Sequence, residues 1–329
     1  MTSVGIIANP AAGKDIRRIV SQGRFVPNHE KVNILKRILA GLDAMNVERV
    51  IFMPDTGSLG MNALAGTELS LNPQFVNMPV FHEENDSSRA ARAMRESGVG
   101  CIITLGGDGT NRVVAKECGD IPIMPISTGT NNVFPRMMEG TIAGIAAGAV
   151  ASGKVNPDEA TTRHTRLEVY LDGDLRDIAL VDLAVSRERF VGARAIWDIS
   201  TLHELFLTRA EPTSIGLSAI GARLKQLSPQ EEYALYIRLG EGQTIEATPV
   251  APGLVQDVEI SEWKTVEAGG PGVPVDLRPA TIALDGERSF SLSQRSEVEV
   301  RLSRDGPRVI EPERALAISL SPTLADSTN

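Results

Sequence analysis

The sequence predicts an α/β domain with a mostly parallel sheet, followed by an all-β domain of sandwich-like architecture. Over residues 1–160, short apolar runs alternate with segments of helical periodicity, a pattern typical of βαβ units with right-handed crossovers. From about residue 161, apolar residues alternate with charged ones and Asp-Gly pairs separate the runs, as antiparallel hairpins require. The length of 329 residues also favours two domains.

This change of period sets the expected domain boundaries. We expect the α/β domain to cover residues 1–160 and the β domain to cover residues 161–305. Residues 306–329 are expected to form a C-terminal segment that packs back on the first domain. Within this segment, a last helix or strand is predicted at residues 312–320, and residues 325–329 are expected to be disordered.

Each element of the first domain is predicted from its own pattern. Apolar residues recur at helical spacing from about Glu30 to Met45, which predicts a long amphipathic helix. Further helices are predicted at residues 59–64, 88–97 and 141–151, and from about residue 110 onward. Buried strands are predicted at residues 4–8, 49–53, 75–81, 101–105 and 121–126.

In the second domain, the alternating runs predict short strands with tight turns. The predicted strands lie at residues 167–171, 177–185, 233–239, 280–284, 289–292 and 297–302. The Asp-Gly pairs at residues 172–173 and 285–286 predict hairpin turns. Between these strands, residues 196–207 are predicted to be helical, with Trp197 in the core.

Composition and charge restrict the class of function. Hydrophobic residues make up 42% and charged residues 23%, which is ordinary for a globular protein, and a net charge of -9 argues against a nucleic-acid-binding surface. No apolar run approaches the length of a membrane span, and no basic segment precedes the first apolar run as in a signal peptide. The cysteines, Cys101 and Cys118, are expected to be buried and reduced.

We expect a cytoplasmic protein that binds a nucleotide and a small-molecule substrate, has no nucleic-acid or membrane partner, and forms a homo-oligomer. The four histidines are far apart and have no metal-ligand spacing, so a zinc site is not expected.

Residues 106–110 (Gly-Gly-Asp-Gly-Thr) are the strongest functional motif. They follow a buried strand and precede a helix, so unpaired N–H groups and the positive end of the helix dipole point at the turn, as in a phosphate-binding site. A carboxylate there would repel phosphate, so Asp108 is expected to hold a metal ion or to accept a proton from a hydroxyl. The alternative is a tight turn in which Asp108 caps the helix.

Two further loops of small and polar residues follow predicted strands. Residues 9–14 (Asn-Pro-Ala-Ala-Gly-Lys) offer Asn9 to a phosphate or base and Lys14 for charge neutralisation, or form an ordinary exit from a strand. Residues 128–132 (Thr-Gly-Thr-Asn-Asn) form the third loop. Because ligands bind at the carboxyl ends of parallel strands, three such loops at one edge of the sheet favour a nucleotide site. Neither a P-loop nor a dinucleotide fingerprint is present.

These three loops together resemble the superfamily of NAD kinases and diacylglycerol kinases. The opening run at residues 6–11 and the Val-Pro-Asn-His-Glu-Lys segment at residues 26–31 are similar to ATP-NAD-kinase-type proteins linked to acetoin catabolism, the acetoin catabolism protein X group. The resemblance is strong over residues 1–150 and weaker beyond. It implies an NAD kinase-like two-domain fold with the active site between the domains, ATP as phosphoryl donor and Mg²⁺ as its cation.

The resemblance also implies roles for individual residues. Asp108 would be the catalytic base or a metal-associated carboxylate. Asp182 stands where NAD kinases carry an Asn-Glu pair that binds adenosine, and Asp285 resembles a late Asp-Gly motif of the superfamily, although a plain type I′ turn explains it equally well. The residues expected to bind nucleotide or substrate are Asn9, Gly13, Lys14, Gly106, Gly107, Gly109, Thr110, Thr128, Gly129, Thr130, Asn131, Asn132, Asp182 and Asp285.

Three functions are compatible with the sequence. The first is an ATP-dependent kinase that phosphorylates a hydroxyl of NAD or of a small metabolite linked to acetoin catabolism. The second is a nucleotide-binding sensor or regulator without catalysis, which the altered NAD-binding segments favour. The third, a lipid kinase, ranks lowest because no basic amphipathic helix offers membrane contact.

Overall fold

The computed structural model describes residues 2–14, 21–129, 132–188, 196 and 198–319. The strands that build the first sheet are β1 (Ser3–Ala8), β2 (Arg49–Phe52), β3 (Asn72–Phe75), β4 (Cys101–Gly106), β5 (Ile123–Ser127), β6 (Thr161–Arg163) and β17 (Arg308–Ile310). The helices of this part are α1 (Asn28–Ala44), α2 (Leu59–Leu64), α3 (Asn85–Glu96), α4 (Asp108–Ala115), α5 (Gly140–Ala151), α6 (Pro157–Ala160) and α8 (Pro312–Ser319).

The first sheet has the strand order β3-β2-β1-β4-β5-β17-β6. Neighbouring strands are parallel, except that β6 runs antiparallel to β17. Every residue of β1 and of β4 is buried, because helices cover both faces of a parallel sheet. The mostly parallel α/β fold predicted from the sequence is confirmed.

The long helix α1 packs against α5 through glycines. Leu35, Ile38 and Leu42 of α1 are fully buried. A Cβ atom on Gly144 of α5 would lie 2.3 Å from the carbonyl oxygen of Ile38, and one on Gly41 would lie 2.5 Å from the carbonyl oxygen of Thr141. The two backbones can approach so closely only because neither position carries a side chain.

The strands of the second domain form two antiparallel sheets. These strands are β7 (Arg166–Leu171), β8 (Asp174–Ala179), β9 (Asp182–Ser186), β10 (Leu202–Leu207), β11 (Tyr233–Ala251), β12 (Leu254–Glu267), β13 (Val273–Pro274), β14 (Ala280–Leu284), β15 (Glu287–Leu292) and β16 (Val298–Ser303). One sheet has the order β12-β11-β10-β9-β14-β15 and the other β13-β16-β7-β8. Apolar side chains of both sheets share a core, as in a sandwich. Helix α7 (Leu217–Leu224) packs on β10 and β11.

Three predicted elements were wrong. The strand predicted at residues 75–81 does not form; β3 lies earlier, at Asn72–Phe75, and is a short exposed edge strand without apolar periodicity. The strand predicted at residues 177–185 is broken into β8 and β9, because the N–H groups of Leu180 and Val181 bind a side chain instead of a neighbouring strand. The helix predicted at residues 196–207 is a short 3-10 turn followed by β10, which pairs with β9 and β11; Trp197 lies outside the described residues.

The chain returns to the first domain at its end. Strand β17 pairs with β5 and β6, and α8 packs against α5 and α6. The tail predicted to be disordered lies outside the described residues. Among the helices that the structure describes, none combines the length and the apolar content needed to cross a membrane.

The buried side chain of Glu204 on β10 makes stability depend on pH. It is 0% exposed, and burial, reinforced by the charge of Asp276, raises the pKa of Glu204 from 4.5 to about 7. Between these two values the folded state binds more protons than the unfolded state, so stability falls as pH rises through this window. Glu204→Gln should therefore raise the free energy of unfolding by on the order of 2 kcal/mol at pH 8 and by about a few tenths near pH 4.5.

Denaturant unfolding of both proteins at the two pH values tests this prediction. Glu259→Gln on the exposed side of β12 is the matched control and should change stability little at either pH. A stability difference between wild type and Glu204→Gln that does not vary with pH would contradict the prediction.

Candidate functional site

A cavity of about 730 Å³ opens at the carboxyl ends of the parallel strands. Its walls in the first domain come from the loops after β1, β2, β3, β4 and β5 and from the start of α3, and its wall in the second domain comes from Asp285 and Glu287 at the β14–β15 turn. Cavities of this size bind small molecules and cofactors, and this edge of an α/β sheet is where such ligands collect.

Most of the residues singled out from the sequence meet in this cavity. Gly106 and Thr128 lie behind it, where the N–H group of Thr128 donates to the carbonyl of Gly106 at 3.0 Å. Asp182 borders a second, smaller cavity, and Thr130 and Asn131 lie outside the described residues. The predicted residues that line the main cavity are Asn9, Gly13, Lys14, Gly107, Asp108, Gly109, Thr110, Gly129, Asn132 and Asp285.

The three loops contact one another through side-chain amides. Asn9 Nδ2 donates to Thr110 Oγ1 at 2.9 Å, which joins the first loop to the second. Asn132 lies between the second and third loops, where a Cβ atom on Gly107 or Gly129 would come within 2.9 or 2.6 Å of its amide group. Glycine at both positions therefore lets the loops pack against Asn132.

Asp108 is held by the third loop. Its carboxylate accepts hydrogen bonds from the backbone N–H groups of Val133 at 3.1 Å and Phe134 at 2.8 Å, and the residue is 7% exposed. Because Asp108 is also the first residue of α4, these bonds fix the start of that helix against the loop after β5. The carboxylate lies at the cavity wall. An aspartate that served only to cap the helix would have no need to reach the cavity.

The Asp-Gly turn at residues 285–286 brings the second domain to the site. Asp285 Oδ1 accepts from the N–H groups of Leu180 at 2.9 Å and Val181 at 2.7 Å, and Asp182 Oδ1 accepts from Gly286 at 3.0 Å. Burial, followed by the neighbouring charge of Asp182, raises the pKa of Asp285 well above its usual value. Positive φ angles of 52° and 75° at Asp285 and Gly286 fit a type I′ turn. Asp285 therefore forms the hairpin turn and also lines the cavity.

Arg112, which sequence reasoning missed, connects both domains beneath the cavity. Its guanidinium is 4% exposed and pairs with Asp177 at 3.1 Å and with Glu84, and its Nε lies 3.8 Å from Asp285 Oδ2. These carboxylates surround the guanidinium and compensate its burial. The carboxylates that Arg112 contacts lie between 28 and 173 positions away in the chain. No local sequence motif could therefore have indicated these contacts.

Arg209, also missed, places a second buried cation behind Asp108. Its guanidinium lies 4.8 Å from the ring of Phe134, whose backbone N–H binds Asp108, and its Nη2 lies 3.2 Å from His164 Nδ1. Burial lowers the pKa of Arg209 to about 10, and the carboxylate of Asp108 opposes that shift. The second domain thus contributes positive charge to the surroundings of Asp108.

Lys31 fixes the first loop from behind. Its Nζ donates to the carbonyl oxygens of Asn9 at 3.0 Å, Pro10 at 3.3 Å and Ala12 at 3.0 Å. Burial, with a smaller contribution from Lys14, lowers the pKa of Lys31 from 10.5 to about 8. The sequence could have indicated this role of Lys31. It occupies a core-facing position of α1, where a lysine is unusual.

The charge of the cavity is mainly negative. Among its described lining residues, Lys14 is the only lysine or arginine. The carboxylates in its wall belong to Asp55, Glu83, Glu84, Asp86, Asp108, Asp285 and Glu287. Within the described parts of the chain, no group of three or more His, Cys, Asp or Glu side chains is arranged to hold a metal ion.

Replacing Lys31 tests whether it supports the first loop. In Lys31→Met, the carbonyl groups of the first loop lose their buried hydrogen-bond donor. We therefore expect the free energy of unfolding to fall by about 1–3 kcal/mol. Lys36→Met, on the partly exposed face of the same helix, should change stability by less than about 0.5 kcal/mol. Thermal or denaturant unfolding measures both, and equal losses in the two variants would show that Lys31 does not support the loop.

Two family models match the chain. The ATP-NAD kinase N-terminal domain matches residues 4–155, and the acetoin catabolism protein X C-terminal domain matches residues 165–305. A solved structure of yeast NADH kinase complexed with NADH is similar with a TM-score of 0.50 and 15% identity, covering 100% of this chain and 89% of that chain. At this identity the likeness shows the fold alone.

Two curated proteins are similar in sequence. NAD kinase of Methanosarcina barkeri is 25% identical over 250 residues, which cover 72% of this chain and 82% of that protein. Acetoin catabolism protein X of Cupriavidus necator is 41% identical over 322 residues, which cover 94% of this chain and 89% of that protein. The resemblance inferred from the three loops is confirmed, and the chain belongs to the acetoin catabolism protein X family, with an NAD kinase-like fold.

Proposed function

We propose that the protein is an ATP-dependent kinase that transfers a phosphoryl group to a hydroxyl of NAD or of a small metabolite linked to acetoin catabolism. The observation that carries the proposal is the position of Asp108, at the start of a helix, beside two glycines and at the wall of a cavity of about 730 Å³. The combination of a phosphate-binding turn with an adjacent carboxylate favours phosphoryl transfer over simple anion binding.

The residues present fit a nucleotide. Gly107 and Gly109 lie at the cavity wall at the start of α4, where the helix dipole favours the charge of phosphate oxygens. Asn9 and Lys14 border the same space and supply an amide and a positive charge. The volume is within the range of pockets that bind nucleotide-sized ligands.

The residues also fit a divalent cation that arrives with its nucleotide. Mg²⁺ is commonly held by one or two carboxylates together with substrate phosphates, so the absence of a group of three ligands among the described residues is compatible with it. Asp108 and Asp285 are the carboxylates that would hold it. When bound, the cation would neutralise the charge of the phosphates. Lys14, the one lysine among the described lining residues, neutralises only part of that charge.

Asp108 has a second role in the proposal. A carboxylate at the cavity wall is placed to orient the acceptor hydroxyl and to accept its proton as the phosphoryl group is transferred. The N–H groups of Val133 and Phe134 hold the carboxylate in one orientation, and Arg209 adds positive charge behind it. Catalysis then depends on positioning and electrostatics rather than on covalent chemistry.

A sensor or regulator that binds nucleotide without catalysis is the second candidate. The replacement of an adenosine-binding Asn-Glu pair by Val-Asp at residues 181–182 favours it, since the phosphate-facing loops are then kept without the residues with which NAD kinases hold NAD. Tight ATP or NAD binding in calorimetry, together with no phosphorylated product by mass spectrometry, would select the sensor over the kinase.

The kinase is tested by ADP release from ATP and Mg²⁺ over a panel of acceptors that includes NAD. Asp108→Asn keeps the size of the side chain but removes the charge and the proton acceptor, so kcat should fall by about 10²–10⁴-fold. Asp305→Asn, on the exposed surface of the second domain, should retain wild-type kcat. Wild-type turnover by Asp108→Asn would overturn the assignment of Asp108.

A further inference from the structure

Three polar side chains from distant parts of the sequence meet beside the ring of Phe134. Arg209 follows β10 in the second domain, His164 lies between β6 and β7, where the chain leaves the first domain, and Glu311 lies between β17 and α8. All four residues border one small cavity, and Arg209 and His164 are 4% and 5% exposed. These side chains therefore meet where both domains and the returning C-terminal segment pack together.

The guanidinium of Arg209 reaches the surroundings of Asp108 through Phe134. Its Cζ lies 4.8 Å from the centre of the Phe134 ring, and the backbone N–H of Phe134 donates to Asp108 Oδ1 at 2.8 Å. Burial lowers the pKa of Arg209 to about 10, and among the charged groups that act on it the carboxylate of Asp108 opposes this fall most. Because the attraction is mutual, the guanidinium favours the ionised form of Asp108. The other charged groups that act on Arg209 are Glu211, Asp285 and Arg136.

His164 holds the guanidinium in this place. Arg209 Nη2 lies 3.2 Å from His164 Nδ1, and a guanidinium can only donate, so Nδ1 is the acceptor and the ring proton is on Nε2. Glu311 Oε1 lies 4.0 Å from Nε2 and favours this tautomer. Burial, to which the charges of Arg209 and Arg136 add, lowers the pKa of His164 to about 4. The ring is therefore neutral near pH 7, and Nδ1 is able to accept.

The position of His164 is itself fixed by its neighbours. Its backbone N–H donates to the carbonyl oxygen of Pro307 at 3.1 Å, one residue before β17 begins. Its ring meets the ring of Phe134 edge-on, with the ring centres 5.6 Å apart. The backbone N–H of Glu311 donates to the carbonyl oxygen of Ala160 at 2.8 Å, which places the carboxylate of Glu311 beside the same ring. His164 is thus held through both its backbone and its ring.

We propose that Arg209 is a positioning residue for Asp108, and that His164 orients Arg209 for this role. The proposal rests on the kinase function above, in which Asp108 accepts the proton of the acceptor hydroxyl. Arg209 is not among the described residues that line the main cavity, so it acts on the carboxylate of Asp108 and not on the substrate. It keeps that carboxylate ionised and able to accept the proton, and His164 fixes the guanidinium by accepting its hydrogen bond.

Two substitutions at His164 separate the hydrogen bond from the shape of the side chain. His164→Asn places an amide near the position of Nδ1, where it can accept from Arg209, whereas His164→Leu has a similar branched shape and no acceptor. We measure ADP release with ATP, Mg²⁺ and the acceptor that the wild type uses. The value of kcat should fall by about tenfold in His164→Leu and stay within about threefold of wild type in His164→Asn. KM for ATP should be unchanged in both.

The pH dependence of kcat/KM distinguishes positioning from a general loss of structure. A carboxylate loses its proton at lower pH when positive charge lies beside it, so weakening that charge moves its ionisation to higher pH. The acidic limb of the profile should therefore shift upward by about 0.5–1 pH unit in His164→Leu and in Arg209→Met, and stay in place in His164→Asn. Arg295→Met, at an exposed position of the second domain, is the control and should keep the wild-type profile.

Equal kcat values in the two His164 variants, or an acidic limb that does not shift in His164→Leu, would overturn the proposal and leave the kinase intact. ADP release with none of the acceptors would contradict the kinase function, and unfolding then tests the positioning role separately. If Arg209 stabilises the charge of Asp108, the double variant Asp108→Asn, Arg209→Met loses less stability than the sum of the two single losses. Additive losses would overturn the proposal. If Arg209→Met does not fold, His164→Leu takes its place in this comparison.

Discussion

The buried carboxylate of Asp285 is the contact on which the site depends. By accepting the N–H groups of Leu180 and Val181, it ends β8, starts β9 and fixes the β14–β15 turn against both strands. The same carboxylate lies 3.8 Å from Arg112 of the first domain and borders both cavities. One side chain therefore sets the local backbone of the second domain and its position at the loops that line the main cavity.

The first domain depends on a different constraint, which is the close approach of its backbone segments to one another. Its loops converge because glycines at positions 107 and 129 leave room for the amide of Asn132, and because glycines in α1 and α5 let those helices support the sheet at short range. Lys31 then satisfies the carbonyl groups that the first loop directs inward. The arrangement of the loops at the strand ends thus depends on glycines, which carry no side chain, and on one buried cation.

The parts of the protein that were predictable are those whose signals are local. The parallel sheet and the loops at residues 9–14 and 106–110 follow from short runs of sequence. Strand β10 was mistaken for a helix because it lies between two strands and is buried on both faces, so no alternation marks it. Arg112 and Arg209 acquire their roles through partners far away in the chain, which no spacing rule encodes.

The return of the chain to its first sheet has a consequence for how the protein is made. Strand β17 lies between β5 and β6, yet the whole second domain is synthesised before it. While the ribosome is still translating the sandwich, β5 has an open edge with no neighbour on that side, which is the kind of surface that chaperones cover during synthesis. Completion of the first sheet therefore follows synthesis of the second domain, and truncation after residue 305 would leave that sheet unfinished although the loops after β1, β4 and β5 are all present.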